Sequence, residues 1–520
     1  MTSLKPPTPP LYDVAIVGCG PSGAAAAALL GQRGLRVWIG DSAQAIYDKP
    51  RAFAMDHEIL RVWQQLGIDG AMQAHMEPFT DSEFYGVDGQ LIKCMSTIAP
   101  PYPLGHHPSV VFNQPALERF LRQLITGMPN VTLALGHSVQ RVQNQADRVQ
   151  LSITNDTGEK SVVQARYAIA CDGASSRVRE QLGMGLIDLG FDQAWLVVDT
   201  LITPQGLAKL PQVSVQYCEP TRPSTFLIGP GNHRRWEISI NPGEDPQELA
   251  TPEGTWRLLS RWITPQDGQL WRQASYRFHA LVAREWRQGR VFLAGDAAHQ
   301  QPPFLGQGMC QGVRDVVNLS WKIAACLQDH APDALLDTYG SERQAHVREL
   351  TTRIKHIGEL VAERDPAKAR ARDQQLLQAC QGQVQRTPRQ DVQPALRGGL
   401  LSAQSHAAVG TLCPQPWLVR GAQRQRMDHW LGCGWRLLLS AQAPASLLST
   451  AAQCRPAGMA QWQCGQDPWQ EADGVLANWL AKHQAHAVLV RPDHVVYGVA
   501  HDGTSLQTLF DEIHAFSQPH

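Results

Sequence analysis

YDVAIVGCGPSGAAAAALLGQRGLRVWIGD, residues Tyr12–Asp41, combines three local patterns in one short segment. Tyr12–Val17 is rich in β-branched residues, the next six residues contain three glycines, and Ala24–Leu30 is almost entirely alanine and leucine. This order predicts a strand, a glycine turn and a helix. A second apolar run, Leu35–Ile39, then ends at a Gly-Asp pair. The whole segment predicts a βαβ unit of about 30 residues that binds a nucleotide.

The three glycines of the turn each have a physical purpose in such a unit. Gly18 lets the chain turn, Gly20 leaves no Cβ to block a pyrophosphate, and Gly23 permits close contact between helix and strand. The helix N-terminus also offers unpaired N–H groups to an anion. Asp41 at the end of the second strand can accept hydrogen bonds from ribose hydroxyls. This motif alone leaves open whether the nucleotide is FAD or NAD.

Composition sets the broad class of the protein. The chain has 520 residues, 43% of them hydrophobic, and its 46 basic and 47 acidic side chains give a formal charge of −1. This length suggests two to four domains, and the balanced charge argues against disorder and against a nucleic-acid partner. Pro-rich Met1–Pro10 does not resemble a secretory signal, and no apolar run is long enough for a membrane span.

Eleven cysteines are scattered along the chain without a C-x-x-C pair or the Cys/His spacing of a zinc site. We therefore predict reduced, mostly buried thiols in a cytoplasmic protein and no metal site.

The later chain repeats the strand-and-turn pattern twice. Tyr167–Ala170 reads as a buried strand that runs into Cys171-Asp172-Gly173, and a strand at Arg290–Ala294 runs into Gly295-Asp296. Between them, short alternating runs from about 188 to 278 predict a mostly antiparallel sheet. Helical spacing of apolar residues over Gly312–Leu327 predicts a helix after the second turn.

These two turns resemble motifs of the single-component, class A flavin aromatic hydroxylases. Cys171–Arg179, CDGASSRVR, resembles their "DG" motif, and Gly295–His299, GDAAH, with the following Pro302–Met309 resembles their "GD" motif. The C-terminal Val490–Asp493, VRPD, resembles the end of the thioredoxin-like domain in the phenol hydroxylase and 3-(3-hydroxyphenyl)propionate hydroxylase branch. The resemblance covers nearly the whole chain.

The resemblance implies an α/β fold with four segments. These are a Rossmann-like FAD-binding domain in two parts, 1–187 and 285–395 with a helical connector, an inserted antiparallel-sheet substrate domain at 188–284, and a thioredoxin-like domain without C-x-x-C at 396–520. Because it lacks that pair, the last domain is predicted to be a packing or dimer element, which makes a homodimer possible.

The resemblance also assigns the cofactor residues. The FAD-binding set comprises Gly18, Gly20, Ser22, Gly23, Asp41, Arg51, Gln114, Asp172, Asp296, Pro303, Gly306, Gln307, Gly308 and Met309. In this set Asp296 is expected to bond the ribityl chain, and the loop from Pro302 to Met309 is expected to lie along the isoalloxazine. Backbone N–H groups there can face the flavin edge where negative charge grows on reduction.

The function implied by the resemblance is hydroxylation of a phenolic aromatic compound in aromatic catabolism. NADH or NADPH reduces the FAD, dioxygen forms a C4a-hydroperoxide, and one oxygen atom passes to the ring. A 3-(3-hydroxyphenyl)propionate-like acid is the expected substrate. The alternatives are a hydroxylase of a polycyclic or quinone-like natural product and, from a different class, a non-catalytic flavin- or NAD-binding sensor.

Substrate contacts are predicted in the 188–284 sheet. Tyr217 or His233 could help to deprotonate a phenol, Arg235 could pair with a substrate carboxylate, and Pro303 of the cofactor loop is counted with these catalytic residues. Trp236 and Tyr276 are expected to be core aromatic residues.

Two positions depart from the family pattern. Ser42 replaces a frequent Arg, and Phe53 stands where phenol hydroxylases have an active-site Asp. That catalytic base therefore has no counterpart at this position.

Overall fold

The computed structural model describes residues 10–517, so the Met1–Pro10 prediction concerns residues that, except for Pro10, lie outside the described chain. The fold is a mixed α/β structure in which two large sheets enclose a common cavity. No helix within the described residues is long and apolar enough to cross a membrane.

The first sheet contains the predicted βαβ unit. Its strands in spatial order are Arg287–Gln288, Val291–Leu293, Lys160–Ala170, Leu11–Val17, Val37–Asp41 and Val131–Leu135, and a hairpin of His137–Asn144 and Val149–Asn155 joins Lys160–Ala170. The five strands from Val291–Leu293 to Val131–Leu135 run parallel. Val14–Val17 is buried throughout, as expected for a parallel strand covered on both faces.

This parallel arrangement brings the three motifs together. The strands that end at Val17, Asp41, Ala170 and Leu293 are neighbours, so the turns that follow them share one edge of the sheet. Ligands of open α/β sheets bind outside this carboxyl edge. The fold thus explains why motifs more than a hundred residues apart can form one site.

The second sheet is mostly antiparallel, as predicted. In spatial order its strands are His299–Gln300, Gly268–Ala283, Leu186–Ile202, His233–Ser239, Ser224–Ile228, Ser214–Tyr217, Ser82–Tyr85, Leu91–Ser96 and Gln385–Pro388. Four of these strands come from outside the predicted 188–284 segment, namely His299–Gln300, Ser82–Tyr85, Leu91–Ser96 and Gln385–Pro388. One face packs on an apolar core that includes Phe226 and Trp236, and the other faces the cavity.

A three-stranded sheet of Ala54–Asp56, Ser109–Phe112 and Met76–Pro78 lies beside the cavity-lining segment 51–54.

Helices cover the sheets and connect the segments. The α-helices of residues 10–395 are Pro21–Gln32, His57–Leu66, Asp69–Met72, Gln114–Thr126, Arg177–Gln181, Pro204–Leu207, Pro246–Leu249, Pro252–Leu259, Gly308–Gln328, Ala334–Val361 and Pro366–Ala379, with 3₁₀ turns at Gln73–His75, Gly295–Ala297 and Arg389–Val392. Gly308–Gln328 contains the helix predicted at 312–327 and packs against Pro21–Gln32.

The C-terminal segment contains two further sheets. One consists of Gln423–Arg426, Trp417–Arg420 and Gln470–Glu471, and the other of Ala460–Gln463, Arg436–Leu439, Ala487–Val490 and Val496–Ala500 in that order. The helices here are Met427–Leu431, Ala445–Cys454, Val475–Lys482 and Gly503–Ser517.

Candidate active site

The first glycine turn is tightly packed except at one position. Gly18 has φ +98°, and a Cβ there would lie 2.4 Å from the Cys171 carbonyl oxygen. A Cβ at Gly23 would lie 2.0 Å from the Gly18 carbonyl oxygen, whereas one at Gly20 would meet no atom within 4 Å. The turn is therefore closed around Gly18 and Gly23 and open toward the cavity at Gly20, which is the arrangement that a pyrophosphate needs.

Asp41 holds the glycine turn in place. Its carboxylate accepts hydrogen bonds from the backbone N–H groups of Cys19 at 2.6 Å and Ala43 at 2.8 Å. Asp41 also lines the cavity. It can therefore hold the loop and still offer oxygen lone pairs to a ribose.

The second and third motifs meet the first turn. A Cβ at Gly295 or at Gly312 would lie 2.8 or 2.2 Å from the Ser22 hydroxyl oxygen, so Ser22 is packed directly against both glycines. Gly20, Asp172 and Asp296 all line the same cavity of about 1090 Å³. Ligand pockets in proteins are usually roughly 300–1,000 Å³, so this cavity can hold a dinucleotide and a small aromatic ring.

The two motif aspartates have different surroundings. Asp172 accepts a hydrogen bond from the Ser176 hydroxyl at 2.5 Å and another from the Val178 backbone N–H at 3.1 Å, so it caps the short helix that follows. Asp296 is exposed to the cavity. The protein that surrounds the cavity nevertheless desolvates the Asp296 carboxyl, and this desolvation raises its pKa.

Arg51 and Gln114 lie together at the cavity wall. The Gln114 side-chain oxygen accepts hydrogen bonds from the backbone N–H groups of Arg51, at 2.9 Å, and Ala52. The Gln114 amide donates to Glu118 at 2.7 Å. Gln114 therefore fixes the backbone that carries the Arg51 side chain into the cavity lining.

The loop after the third motif follows the cavity. Pro303, Gly306, Gly308 and Met309 line it, and the helix Gly308–Gln328 begins there. Gln307 is turned away, since its side-chain oxygen accepts hydrogen bonds from Arg314 at 2.9 Å and Gln393 at 2.8 Å. Only the backbone of Gln307 remains for a role in cofactor binding.

Two of the predicted substrate contacts, His233 and Arg235, are engaged by the same carboxylate. Asp199 accepts hydrogen bonds from His233 at 2.8 Å and from the Arg235 Nε at 2.7 Å, and Arg272 lies 3.4 Å from the same carboxylate. Burial opposes the Asp199 charge, but Arg235 and His233 outweigh it and lower its pKa to about 2. Arg235 also donates to the Pro50 carbonyl oxygen at 3.0 Å. Arg235 lines the cavity with most of its donors already engaged, while His233 is not part of the lining.

Tyr217 and Tyr276 lie where the sequence did not place them. Tyr217 is on the outer face of the sheet, 5.5 Å from the Trp262 ring, so the structure does not bring it to the cavity. The prediction of Tyr276 as a core residue is wrong, because this residue is 39% exposed and lines the cavity. Trp236 is fully buried, as predicted.

The inner face of the second sheet carries a polar row that sequence reasoning missed. Glu237, Thr225 and Gln216 form this row on three adjacent strands, and Val197 is paired with Glu237 on the next strand; all four line the cavity. The Thr225 hydroxyl donates to the Gln216 side-chain oxygen at 2.6 Å.

Glu237 in this row is 3% exposed, and within residues 10–517 its carboxylate has no hydrogen bond or ion pair. Burial raises the pKa of Glu237 to about 7, although the charge of Arg235 opposes the shift. The signal for Glu237 was present in the sequence: in the strand His233–Ser239, period-two alternation puts it on the same face as Arg235.

The fold and the cavity together define a flavoprotein of the FAD-dependent monooxygenase class. The chain belongs to the FAD binding domain family, whose model matches residues 11–354, and residues 410–515 match the HcaD C-terminal domain. The prediction of an FAD-dependent aromatic hydroxylase is confirmed, and the alternative of a non-catalytic sensor is not favoured.

Individual relatives extend over nearly the whole chain. A "Probable NADH-specific resorcinol 4-hydroxylase" of Rhodococcus jostii (strain RHA1) is 35% identical and covers 98% of this chain and 95% of its own length. A 3-(3-hydroxy-phenyl)propionate/3-hydroxycinnamic acid hydroxylase of Burkholderia vietnamiensis (strain G4 / LMG 22486) is 30% identical over 93% of each chain.

Solved structures share the fold. The flavin-dependent monooxygenase PieE, in complex with FAD and substrate, superposes with a TM-score of 0.81 at 22% identity, covering 98% of this chain and 100% of its own. Aklavinone-11 hydroxylase gives a TM-score of 0.79 at 21% identity, covering 96% and 98%.

Proposed function

We propose that this protein uses NADH or NADPH and dioxygen to hydroxylate a single-ring phenol, with FAD held by the three converging turns. The observation that carries the proposal is that one cavity is lined both by Gly20, Asp172 and Asp296 and by the polar row around Glu237. The similarity to the resorcinol and 3-hydroxyphenylpropionate hydroxylases supports a phenol that bears a second polar group.

The proposed cofactor site uses the predicted FAD set with one change, since Gln307 contributes only its backbone. Gly20 leaves room for the pyrophosphate, Asp41 accepts from the ribose, and Asp296 faces the ribityl chain. When bound, FAD would supply the redox chemistry with the nicotinamide and the oxygen-transfer chemistry with dioxygen. The loop from Pro303 to Met309 orients the ring system and excludes water from it.

Glu237 is the proposed acceptor for the phenol hydroxyl. Its carboxylate has no protein partner, and its pKa of about 7 suits a group that takes a proton near neutral pH. A phenol that donates to Glu237 becomes more electron-rich, which favours attack on an electrophilic oxygen. His233 and Arg235, predicted as catalytic, become positioning residues that hold Asp199 and the backbone at Pro50.

The test of this function uses the purified full-length protein. The oxidised protein should be yellow, and its NADH or NADPH consumption should rise when resorcinol or 3-(3-hydroxyphenyl)propionate is added. With isotopically labelled dioxygen, the product should contain one labelled oxygen atom. Flavin-free protein, or cofactor oxidation that no phenol stimulates, would exclude the proposal.

Three features of organisation also belong to this proposal. The C-terminal domain is thioredoxin-like, which is supported by its four-stranded sheet. The strands of this sheet and the helices between and after them follow the order β-α-β-α-β-β-α from Arg436–Leu439 to Gly503–Ser517, and Arg436–Leu439 with Ala460–Gln463 is its one parallel pair within the described residues. Free thiols at all eleven cysteines support a cytoplasmic location. The third feature is a homodimer, and light scattering tests it by measuring the molecular mass in solution.

A further inference from the structure

Arg389 lines the cavity from the 3₁₀ turn Arg389–Val392. Its guanidinium donates to the Ser82 hydroxyl at 3.1 Å and to the Leu305 carbonyl oxygen at 3.2 Å. Its carbon lies 4.2 Å from the centre of the Phe79 ring. A guanidinium has five N–H groups, so these two hydrogen bonds leave donors free. Ser82, Leu305 and Phe79 line the same cavity as Arg389.

The charge of Arg389 is not neutralised by the protein. Among the described residues no carboxylate lies within ion-pair distance of Arg389. The Asp56 carboxylate interacts with it electrostatically from farther away, but it forms its ion pair with Arg314. Burial lowers the pKa of Arg389 to about 10, which records the cost of holding a cation there. Arg235, which also lines the cavity, is by contrast paired with Asp199.

We propose that Arg389 binds the carboxylate of a phenolic acid substrate and makes this enzyme select acids over neutral phenols. The inference rests on the proposed hydroxylation of phenols and names the substrate class. A planar guanidinium matches a carboxylate with two parallel hydrogen bonds, and Phe79 and Ser82 hold its plane in advance. A carboxylate would also supply the missing counter-charge, whereas a neutral phenol would leave the cation uncompensated.

The experiment compares 3-(3-hydroxyphenyl)propionate with its primary amide, which has nearly the same shape and no charge. Binding is measured by the change in flavin absorbance without nicotinamide, and turnover by kcat and KM. We expect the wild type to bind the acid at least about tenfold more tightly than the amide. In Arg389→Met, kcat/KM for the acid should fall about 30-fold through KM, while that for the amide should change less than about threefold.

Two further variants separate charge from packing. Arg389→Lys keeps the charge without the two-pronged geometry and should lie between the wild type and Arg389→Met. Arg386→Gln removes an exposed charge three residues earlier, paired with Asp81, and should leave the acid preference unchanged. Flavin content and melting temperature show whether each variant keeps its fold.

The outcomes are distinct. If the wild type hydroxylates phenols but binds acid and amide equally, Arg389 is not an acid subsite although the proposed function stands. This comparison needs no variant, so it remains decisive even if Arg389→Met does not fold. If Arg389→Met loses activity toward the acid and the amide equally, Arg389 acts only by holding the backbone at Leu305, and the inference fails. If no phenol stimulates nicotinamide oxidation, the proposed function fails first.

Discussion

Buried charges occur both at the junction with the C-terminal domain and in the cavity. The charges at the junction form ion pairs, whereas two of those in the cavity do not. At the junction, Arg491 donates two hydrogen bonds to Glu342, at 3.0 and 2.7 Å, and two more to Asp493. Lys322 donates to the same Glu342 at 2.9 Å. Burial opposes the Glu342 charge, but Arg491 and Lys322 outweigh it and lower its pKa to about 2.

A second cluster of buried charges at the junction is also paired. Arg61 and Arg436 both donate to the buried Asp428, at 2.6 Å each. Burial opposes the charge of Asp428, but the two guanidinium groups keep its pKa far below the usual range. In the cavity, by contrast, the Glu237 carboxylate and the Arg389 guanidinium lack ionic partners among residues 10–517.

The difference separates structural charges from those available to a ligand. A buried charge is stable only if it is paired, or if its pKa shifts until the neutral form is favoured. The junction uses pairing and therefore fixes one packing of two domains. The cavity leaves groups unpaired, at a cost in stability, and a ligand can then supply the partners.

The largest effect is expected when the junction is broken. Arg491→Met leaves Glu342 with Lys322 as its remaining cation, and the free energy of unfolding should fall by about 3–5 kcal/mol. Urea denaturation measures this change. Arg370→Gln, at an exposed pair with Asp88, is the control and should unfold like the wild type. Equal stability of Arg491→Met and the wild type would remove the contrast between the two regions.

Removing the unpaired charge of Glu237 should reduce activity and leave stability unchanged. Glu237→Gln should lower kcat/KM for the phenol about 100-fold, because the amide cannot take the proton. Its free energy of unfolding should not fall, since no protein partner is lost. Steady-state kinetics and urea denaturation measure the two quantities, with Glu219→Gln on the exposed Arg261 pair as control. A variant that is unstable but fully active would show that Glu237 is structural.

The pH dependence sharpens the same contrast. Folding raises the pKa of Glu237 from 4.5 to about 7, so the folded protein holds this proton more tightly. The stability from this group is complete below pH 4.5 and is lost as pH rises to about 7, by about 1.4 kcal/mol per pKa unit at most. Wild-type stability relative to Glu237→Gln should therefore decrease over this range.

Activity should show the reverse trend, because Glu237 must be ionised to accept the phenol proton. Wild-type kcat/KM should fall below about pH 7, and Glu237→Gln should lack this acid limb. The pH–rate profile with one phenol measures it. An unchanged acid limb in the variant would assign the titration to another group.

The smallest expected effect is on FAD affinity, through the first glycine turn. Gly20 has φ −74°, which any residue adopts, and its Cβ would enter open space. Gly20→Ala should keep its stability without FAD and bind FAD about tenfold more weakly, as measured by fluorescence titration. Gly23→Ala is the counterpart: its Cβ would meet the Gly18 carbonyl oxygen at 2.0 Å, so it should lose stability itself. Equal FAD affinity in Gly20→Ala would place the pyrophosphate elsewhere.

The sequence predicted much of the architecture because the relevant signals are local. Gly18, Gly20 and Gly23 encode the turn, and the order of strand and helix around them encodes the βαβ unit. Period-two runs between 188 and 278 encoded the second sheet. The four strands outside that segment were missed, because pairings such as that between Ser82–Tyr85 and Ser214–Tyr217 join distant parts of the sequence and leave no local mark.

The candidate substrate site depended on the tertiary structure. Tyr217 and Gln216 are sequence neighbours, yet a strand alternates its faces, so only Gln216 reaches the cavity. His233 and Arg235 have the chemistry of substrate contacts, but Asp199 on the neighbouring strand engages both. Arg389, in a polar connector, gave no sequence signal.

By itself, then, the sequence determined a dinucleotide-binding βαβ unit, because backbone conformation at a few glycines is a property of the residues themselves, and its resemblance to the flavin hydroxylases implied that the dinucleotide is FAD. Only the tertiary structure decided which charges are neutralised and which remain for a ligand. That distinction depends on distances between side chains from separate strands, and the free energy of a buried charge is set by its neighbours in space.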